Sequence, residues 1–394
     1  MRDTITVVIS SGVSQGFIAV LYLLAARHVG PSAFGAALAF IGVGNFLASL
    51  VDFGQNSMIL REMAASKISS QQIFHQVFTK SVAVTLVAVF FGFIVYIDSS
   101  NGVLAVALAI YVVLLSLEMT AQSILRWTGG VKKFSLTIIC DKAASLLSFI
   151  IVLTADYKSE IWIPFALTVG SLVGLLVAII LHPGRFRLKA QKFSAGQAFR
   201  YIASARSFGW FGFAVALQGL DIFVLRIVAG SEAAGSYAAV SRWIMPLTLI
   251  AGAYSTATYP RFASAKDNTS ARALLQTGKK LWVGSWLVIG AIIVAAPTLV
   301  EVLLGTEYSN SVLVLRILCF AMFLSVLNQP VAVFLQARGS EKQVANSIGI
   351  GVAFQLTFTF VLGHYLGAVG ASYAWLIQQS ISFILLASLL HKLK

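Results

Sequence analysis

The stretch VVISSGVSQGFIAVLYLLAA, residues 7–26, runs for twenty residues without a charged side chain. A helix of that length spans about 30 Å, which is the thickness of the hydrocarbon core of a bilayer. The stretch is too long for the apolar core of a signal peptide, and it lacks a convincing cleavage site before Arg27. It therefore predicts a membrane helix that is kept in the mature chain.

Twelve apolar runs of about this length follow one another along the chain. They lie near residues 5–26, 34–60, 79–97, 102–124, 135–154, 161–181, 207–228, 235–258, 281–303, 312–335, 344–363 and 370–390. Such uniform runs indicate helices, because barrel strands alternate over about ten residues. Only 11% of the residues are charged, whereas a soluble protein carries about 25%. The sequence predicts an all-α polytopic membrane protein with about 12 transmembrane helices.

Lysine and arginine are concentrated in alternate loops. The loop after the second run, for example, is assigned Arg61, Lys67 and Lys80. The opposite loops hold only Lys158, with Arg27 and Arg226 at their helix-end edges. Positively charged loops stay on the cytoplasmic side of a membrane, so both termini are expected in the cytoplasm.

The longest basic loop, residues 182–206, divides the chain into two halves. We expect an N-terminal six-helix bundle over residues 1–181, a cytoplasmic linker over 182–206, and a C-terminal six-helix bundle over 207–394. A simpler interpretation is that the linker serves as a topology signal that attracts anionic lipids, and the two interpretations are compatible.

The halves also contain an internal repeat. The segment ARHVGPSAFG, residues 26–35, pairs with LRIVAGSEAAG, residues 225–235, when one inserted residue is allowed. This register makes Arg27 and Arg226 equivalent. Both segments begin on the same side of the membrane, which predicts a parallel repeat about an axis along the membrane normal. In transporters built this way, the substrate binds near the midplane where the halves meet.

These segments resemble the Wzx-type polysaccharide exporter family, whose members move lipid-linked oligosaccharides. The resemblance rests on five short stretches: Ala26–Pro31, Phe34–Gly35, Asp52–Gly54, Arg61–Glu62 and Gly367–Ala371. It implies the MATE-like fold of the multidrug/oligosaccharide-lipid/polysaccharide (MOP) exporter superfamily, with alternating access. The peptidoglycan-precursor branch of that superfamily carries two extra helices, which are not found among the twelve runs.

The resemblance also implies a function. The substrate would be an oligosaccharide on undecaprenyl diphosphate, moved from the cytoplasmic to the outer leaflet of the bacterial inner membrane. The product would serve O-antigen and lipopolysaccharide, capsule or exopolysaccharide synthesis. We expect a monomer without a cofactor, driven by Na⁺ or H⁺ coupling or by downhill movement, with a polysaccharide polymerase as a candidate partner. Nucleic acid is not an expected partner.

Few ionisable residues interrupt the apolar runs, and each is costly in a bilayer unless it is paired, hydrated or functional. At about 1.5 Å per residue, four of them lie at similar depth in the first half: Asp52, Glu118, Asp141 and Lys142. They are candidates for an ion-coupling site. The alternative is a structural salt-bridge cluster in which Lys142 neutralises Asp52 or Glu118.

In the second half, Asp221 and Arg242 lie at matching depths and are predicted to pair. Asp221 is a further coupling candidate. A diphosphate is well matched by the planar, multi-donor guanidinium group, so Arg242 is the first substrate-binding candidate, followed by Arg226, Arg27 and Arg316. The alternatives are a purely structural Asp221–Arg242 pair and, for the other arginines, side chains that reach the lipid headgroups.

Two other functions are the alternatives. A MATE-type, sodium- or proton-coupled exporter of small molecules would favour carboxylates and aromatics in its cleft over arginines. A membrane enzyme would need a sizeable outer loop or a catalytic constellation. The sequence contains no phosphate-binding loop and no metal-ligand spacing among its five histidines and two cysteines, so we do not expect an enzyme.

Overall fold

The computed structural model describes residues 2–65, 70–155, 158–182, 212–244 and 279–392, together with eight isolated positions between 196 and 262. The helices, in chain order, are α1 (Arg2–Asp52), α2 (Gln55–Ala64), α3 (Ser70–Ser99), α4 (Gly102–Thr128), α5 (Gly130–Thr154), α6 (Trp162–Ile180), α7 (Asp221–Ile244), α8 (Lys279–Leu304), α9 (Ser311–Ala337) and α10 (Glu341–Lys392). A short 3-10 helix, Thr306–Tyr308, connects α8 to α9. The predicted linker lies almost wholly outside the described residues.

Nine helices in the described ranges are long and apolar enough to cross a membrane. Three of the ten named helices, α1, α7 and α10, are bent at a glycine with non-helical torsions: Gly30, Gly230 and Gly367. Each bent helix contains all or part of two predicted apolar runs, which reconciles nine helices with twelve runs. The predicted all-helical membrane fold is confirmed.

Contacts across the bends show that the chain doubles back at each of them. The rings of Tyr22 and Phe34 lie 6.3 Å apart across Gly30, although the intervening residues would span about 18 Å in a straight helix. Across Gly230, the hydroxyl of Tyr237 donates a 2.8 Å hydrogen bond to Asp221. The bent helices are therefore hairpins of two helical arms.

The bends at Gly30 and Gly230 have the same backbone geometry. Gly30 has φ 79° and ψ 170°, and Gly230 has φ 85° and ψ 171°. This region of backbone space is accessible almost only to glycine, because a Cβ atom clashes there. The two glycines correspond in the predicted repeat, so the repeat extends to the backbone torsions.

The chain divides into two compact units. The first comprises Met1–Leu21 and Phe40–Gly219, and the second comprises Tyr22–Ala39 and Leu220–Lys394. In the first unit, α4 packs against α3, α5 and α6, and α5 also packs against α6. In the second, α9 packs against α7, α8 and α10, and α10 also packs against α7. The bundle boundaries predicted from the sequence stay a prediction.

Large apolar side chains cover the outward faces of these helices. Ile180 is 78% exposed and Val294 is 81% exposed, and both lie in spans without nearby charge. Such a surface is unfavourable in water but matches lipid chains. Together with the nine apolar helices, it identifies a multi-pass membrane protein.

Candidate functional site

Lys80 is the most fully partnered charge in the described part of the first unit. Its side chain is 4% exposed, and its ammonium group donates to Asp52 Oδ1, to Asn56 Oδ1 at 3.1 Å and to Thr120 Oγ1 at 2.7 Å. An ammonium group has three donors, and all three are used. A buried charge that is fully hydrogen-bonded is tolerated, so this site is a complete structural ion pair.

This pair corrects the sequence interpretation of Lys80. The residue was assigned to the loop after the second apolar run, because it lies at the edge of the run near 79–97. In the structure α3 begins at Ser70, so Lys80 lies three turns inside the helix and faces Asp52. The partner of Asp52 is therefore Lys80, and the predicted four-residue cluster is divided.

A second charged cluster lies between α4, α5 and α6. Glu118 is 2% exposed and Asp141 is 3% exposed. Lys142 lies 2.6 Å from Asp141 Oδ2, and Gln122 donates to Glu118 Oε1 at 2.8 Å. Glu118 and Asp141 lie on the same side of α6, since a Cβ atom at Gly174 would overlap Glu118 Oε1 and lie 3.0 Å from the Asp141 Cβ atom. The cluster thus brings two buried carboxyl groups and one lysine together, an arrangement that can bind a proton.

Glycines on α6 form the wall of the carboxyl pair. A Cβ atom at Gly174 would overlap the carboxylate oxygen Oε1 of Glu118, and one at Gly170 would overlap Ser145 Oγ and lie 2.6 Å from the Asp141 carbonyl. The helix approaches the carboxyl groups this closely only because both positions lack a side chain.

The second unit contains a different arrangement around Asp221. Its carboxylate accepts from the Tyr237 hydroxyl at 2.8 Å and from Gln355 Nε2 at 3.2 Å, and from the backbone N–H of Ile222 at 2.7 Å. Arg242 is close enough to attract Asp221 electrostatically. The predicted pairing of Asp221 with Arg242 is therefore a charge interaction, while tyrosine and glutamine supply the hydrogen bonds.

Arg242 itself is incompletely partnered. Its guanidinium carbon lies 5.8 Å from the ring centroid of Tyr22, which is within cation–π range. Its Nε is buried and makes no hydrogen bond within the described structure. Buried donors are nearly always hydrogen-bonded, so a free guanidinium N–H in a membrane span is a candidate position for an anionic ligand.

A row of polar side chains continues from Asp221 along α10. Gln355, Thr359, Gln378 and Ser382 are buried, and each has an oxygen without a hydrogen-bond partner among the described residues. A Cβ atom at Gly351 would lie 2.7 Å from Ser382 Oγ, which shows that the two arms of α10 face each other. Sequence reasoning missed these residues because it followed charges. Polar residues four apart within an apolar run were the available signal.

The remaining arginine candidates make hydrogen bonds within the second unit. Arg27 is exposed and donates to the carbonyl of Val302 at 3.3 Å, and Arg226 Nε donates to Ser231 Oγ at 3.2 Å. Arg316 Nε donates to the carbonyl of Ile293 at 3.3 Å. Pro297 has no N–H to offer the carbonyl four residues earlier, so Arg316 satisfies the acceptor that Pro297 leaves open.

The segment between α8 and α9 contains a buried tyrosine. Tyr308 is 0% exposed, and its hydroxyl donates to the carbonyl of Ala26 at 2.9 Å. Burial raises the pKa of Tyr308, and the neighbouring charge of Glu307 raises it further. The hydroxyl is therefore held in its protonated, donating form. Sequence reasoning gave this segment no role.

Within the described ranges, no group of three or more histidine, cysteine or acidic side chains could hold a metal ion. The two cysteines, Cys140 and Cys319, are both free thiols.

The family follows from a comparison with known protein families. A family model described as polysaccharide biosynthesis protein matches residues 1–266. The chain belongs to the polysaccharide biosynthesis protein family. A comparison with curated proteins finds no match.

Solved structures confirm the fold of this polysaccharide biosynthesis protein. A multidrug resistance MATE family transporter of the MOP superfamily, in an inward-facing conformation, is 15% identical, with a TM-score of 0.76 over 96% of this chain and 95% of its own. The lipid II flippase MurJ, in an inward closed conformation, is 12% identical, with a TM-score of 0.81 over 97% of this chain and 87% of its own. A MOP superfamily transporter from Pyrococcus furiosus is 15% identical, with a TM-score of 0.66 over 99% of this chain and 95% of its own. The MOP fold and the resemblance that predicted it are confirmed.

Proposed function

We propose that this protein is a flippase that moves undecaprenyl-diphosphate-linked oligosaccharide units across the bacterial inner membrane by alternating access. Transport runs from the cytoplasmic to the outer leaflet, and both termini lie in the cytoplasm. Membership of the polysaccharide biosynthesis protein family and the fold shared with a lipid II flippase support a polyprenyl-linked cargo. The glycan serves O-antigen, capsule or exopolysaccharide synthesis. The flippase acts as a monomer, with a polysaccharide polymerase as its candidate protein partner.

The incompletely hydrogen-bonded guanidinium of Arg242 carries this proposal. Its Nε is buried without a hydrogen-bond partner among the described residues, and one face lies over the ring of Tyr22. A diphosphate offers several acceptor oxygens to an arginine edge, and such charge-assisted hydrogen bonds are among the strongest in proteins. Arg226 and Arg27 lie on the repeat-related hairpins, and they assist in binding the diphosphate at the ends of the transport path. Arg316, which satisfies the Ile293 carbonyl, contributes least.

We assign coupling to an ion gradient to two carboxylate sites, namely the pair Glu118 and Asp141 and the single residue Asp221. A proton that binds at Glu118 or Asp141 is exchanged during the cycle, and Lys142 beside Asp141 favours its release. Asp221 contacts Gln355, and the unpartnered oxygens of Gln355 and of Thr359, one turn further along α10, add to the oxygen ligands that a Na⁺ ion requires. Asp52 is neutralised by Lys80 and is the weakest coupling candidate. No cofactor is needed for either mode.

The buried carboxyl pair also favours a second candidate function. A MATE-type exporter of cationic small molecules would use Glu118 and Asp141 to exchange protons for its substrate. The two functions differ in the role of Arg242, because a cationic drug is repelled by a guanidinium group and a diphosphate is bound by it.

Complementation of a deletion strain tests the function. We expect Arg242→Ala to abolish surface glycan and to leave lipid-linked intermediates in the cytoplasmic leaflet, while membrane levels of the protein stay normal. Arg126→Ala is the matched control, because Arg126 also lies over an aromatic ring, that of Phe134, at 5.4 Å, but is exposed. Normal surface glycan with Arg242→Ala would refute the flippase proposal. Drug sensitivity with unchanged glycan would support the exporter.

A further inference from the structure

The first arm of α10, residues 341–366, carries a row of polar or glycine residues at every fourth position. The row consists of Ser347, Gly351, Gln355 and Thr359. Residues four apart are neighbours on the surface of a helix. Gln355 and Thr359 are 0% exposed, and Ser347 is 5% exposed. The row therefore faces the interior of the second unit.

The second arm of α10 faces this row. A Cβ atom at Gly351 would lie 2.7 Å from Ser382 Oγ and 3.4 Å from the Gln378 side chain, and both of these polar residues are 4% exposed. From α9, Asn328 reaches the same arm and donates to the carbonyl of Gln379 at 3.0 Å. Five residues in this region have a buried oxygen that makes no hydrogen bond within the described ranges, and we call them the polar seam: Asn328, Gln355, Thr359, Gln378 and Ser382.

The two hydroxyl groups of the seam differ from those of the other serine and threonine residues of α10. In membrane helices such hydroxyl groups commonly bond back to the preceding turn of their own helix. Each of the others donates to a backbone carbonyl three or four residues earlier: Ser347, Thr357, Ser372, Ser380 and Ser388. Thr359 and Ser382 make no such bond. Their hydroxyl groups therefore point away from their own backbone and are available to a ligand.

The chemistry of the seam matches water. Amide oxygens accept hydrogen bonds, and hydroxyl groups both donate and accept them. None of the five residues is charged, so the seam itself offers no counter-charge to a resident ion, and an apolar chain would supply no hydrogen bond. Buried water makes about three hydrogen bonds to groups that otherwise lack partners. Without such a ligand, each of these oxygens would lower the stability of the fold.

The seam leads from a buried carboxylate toward one end of α10. At the buried end, Gln355 Nε2 donates to Asp221 at 3.2 Å. In the other direction the row continues through Ser347, whose hydroxyl donates at 3.0 Å to the carbonyl of Gln343, an exposed residue. Gln355 and Gln343 are twelve residues apart, which is about 18 Å along a helix. The polar groups thus extend from Asp221 toward the Glu341 end of α10.

We propose that the polar seam holds a file of bound water molecules that joins Asp221 to the Glu341 end of α10. The bound water rests on the observed side chains alone. Its purpose, to let the coupling cation pass between Asp221 and the cytoplasm, rests on the proposed function, which places the Glu341 end on the cytoplasmic side. A hydrated route without charged members lets a cation pass and does not trap it.

Radiolytic hydroxyl-radical footprinting of the purified protein in nanodiscs tests for this water. Radicals that form from bound water oxidise the thiols beside it, whereas thiols in dry packing are spared. In a Cys140→Ser background, Ser382→Cys reports the middle of the seam and Ser347→Cys reports its Glu341 end. We expect both introduced thiols to be oxidised at least tenfold faster than Cys319, which is 0% exposed on α9.

Ser372→Cys is the matched control, because Ser372 is also fully buried on the second arm but bonds to the Val369 carbonyl at 2.6 Å. Its thiol should be oxidised as slowly as Cys319. Gln378→Leu removes one oxygen of the seam and should slow oxidation at position 382 at least threefold. The water file is overturned if positions 382 and 372 react at equal rates, or if Cys319 reacts as fast as position 382. Fast oxidation at position 382 with slow oxidation at position 347 would overturn the connection to the Glu341 end.

Surface glycan in the complemented deletion strain separates the water file from its purpose. Gln378→Leu should lower surface glycan at least threefold at normal protein levels, whereas Ser380→Ala, outside the seam, should not change it. If Gln378→Leu slows oxidation at position 382 but leaves surface glycan unchanged, the water file is established and its role in coupling is refuted. Normal glycan with Arg242→Ala would instead refute the proposed function and leave the water file in place.

Discussion

The two units differ in how fully a buried cation is hydrogen-bonded. In the first, Lys80 uses every donor on three neighbours, and Asp141 is paired with Lys142. In the second, Arg242 has a buried N–H without a partner among the described residues. Unpartnered oxygens occur in the described part of both units, on Gln76, Ser116 and Asp141 in the first and on several residues of α10 in the second. An unpartnered buried polar group costs stability. A bound ligand that supplies the missing hydrogen bonds can offset this cost. The comparison therefore favours a substrate site in the second unit.

The largest effect is expected where a complete ion pair is broken. Lys80→Met removes the ammonium group and leaves Asp52 without its counter-charge. Breaking a buried pair by removing one partner costs about 3–5 kcal/mol, so the purified protein should unfold at a markedly lower temperature. Thermal unfolding followed by tryptophan fluorescence measures this loss.

The double variant Lys80→Met with Asp52→Asn serves as its control. It should recover part of the lost stability, because no uncompensated charge remains. If Lys80→Met lowers the free energy of unfolding by less than about 1 kcal/mol, the ion pair of Lys80 with Asp52 does not stabilise the fold. The contrast between the two units would then fail for Lys80.

The carboxyl pair is expected to be sensitive to volume. Gly174→Ala would place a methyl group against Glu118 Oε1, and overpacking of this kind costs about 1–3 kcal/mol. Gly12→Ala, where a Cβ atom would meet nothing within 4 Å, should be neutral or slightly stabilising. Equal unfolding temperatures for the two variants would show that α6 can shift away from the pair.

A variant of Tyr308 tests whether a buried group with a hydrogen-bond partner stabilises the second unit, as such groups are expected to stabilise the first. Tyr308→Phe removes the hydrogen bond to the Ala26 carbonyl and should cost about 1–2 kcal/mol at neutral pH. Burial raises the pKa of Tyr308, so the folded protein holds this proton more tightly than the unfolded chain. The contribution is then complete below about pH 10 and lost as the pH rises beyond it.

Chemical denaturation of the parent and of Tyr308→Phe, at about pH 8 and about pH 11, checks this dependence. The stability difference between the two proteins should shrink at the higher pH. A difference that stays constant would mean that Tyr308 does not resist ionisation.

The smallest effect on stability is expected at Arg242. Arg242→Gln removes the contact with Tyr22 and the attraction to Asp221, but Asp221 keeps its three hydrogen bonds, so the loss should be about 1 kcal/mol. Transport should nevertheless be lost. A loss of stability as large as that of Lys80→Met would show that Arg242 is a structural residue, and the contrast between the units would fail.

Most of the fold could be predicted from the sequence, because lipid imposes helices of nearly fixed length. The run at 102–124 corresponds to α4 at Gly102–Thr128, and the repeat led to the matching glycines at 30 and 230. The assignment of Tyr22–Ala39 to the second unit was not predictable, because hydropathy locates a span in the membrane but does not name its neighbours.

The sites could be predicted only in part. Depth along the membrane normal correctly placed Glu118 and Asp141 together, but depth alone also grouped Asp52 with them, and the structure pairs Asp52 with Lys80. Rotation about the helix axis decides such pairings, and weakly amphipathic runs carry little information about rotation. Uncharged residues such as Gln355 and Ser382 could not be recognised as site residues, because they barely alter the hydropathy of an apolar run.

The matching bends at Gly30 and Gly230 have a consequence for how the halves can diverge. The shape of each bend is set by the backbone torsions of its glycine. The surrounding side chains can therefore change while the two bends keep the same shape. In the register that pairs Gly35 with Gly235, the counterpart of Arg242 is Gly42. The two copies of the repeat therefore share a backbone shape but differ in side chains, because one has an arginine where the other has a glycine. A cargo with a single charged headgroup needs only one such cation, and the other copy can specialise in holding the protein together.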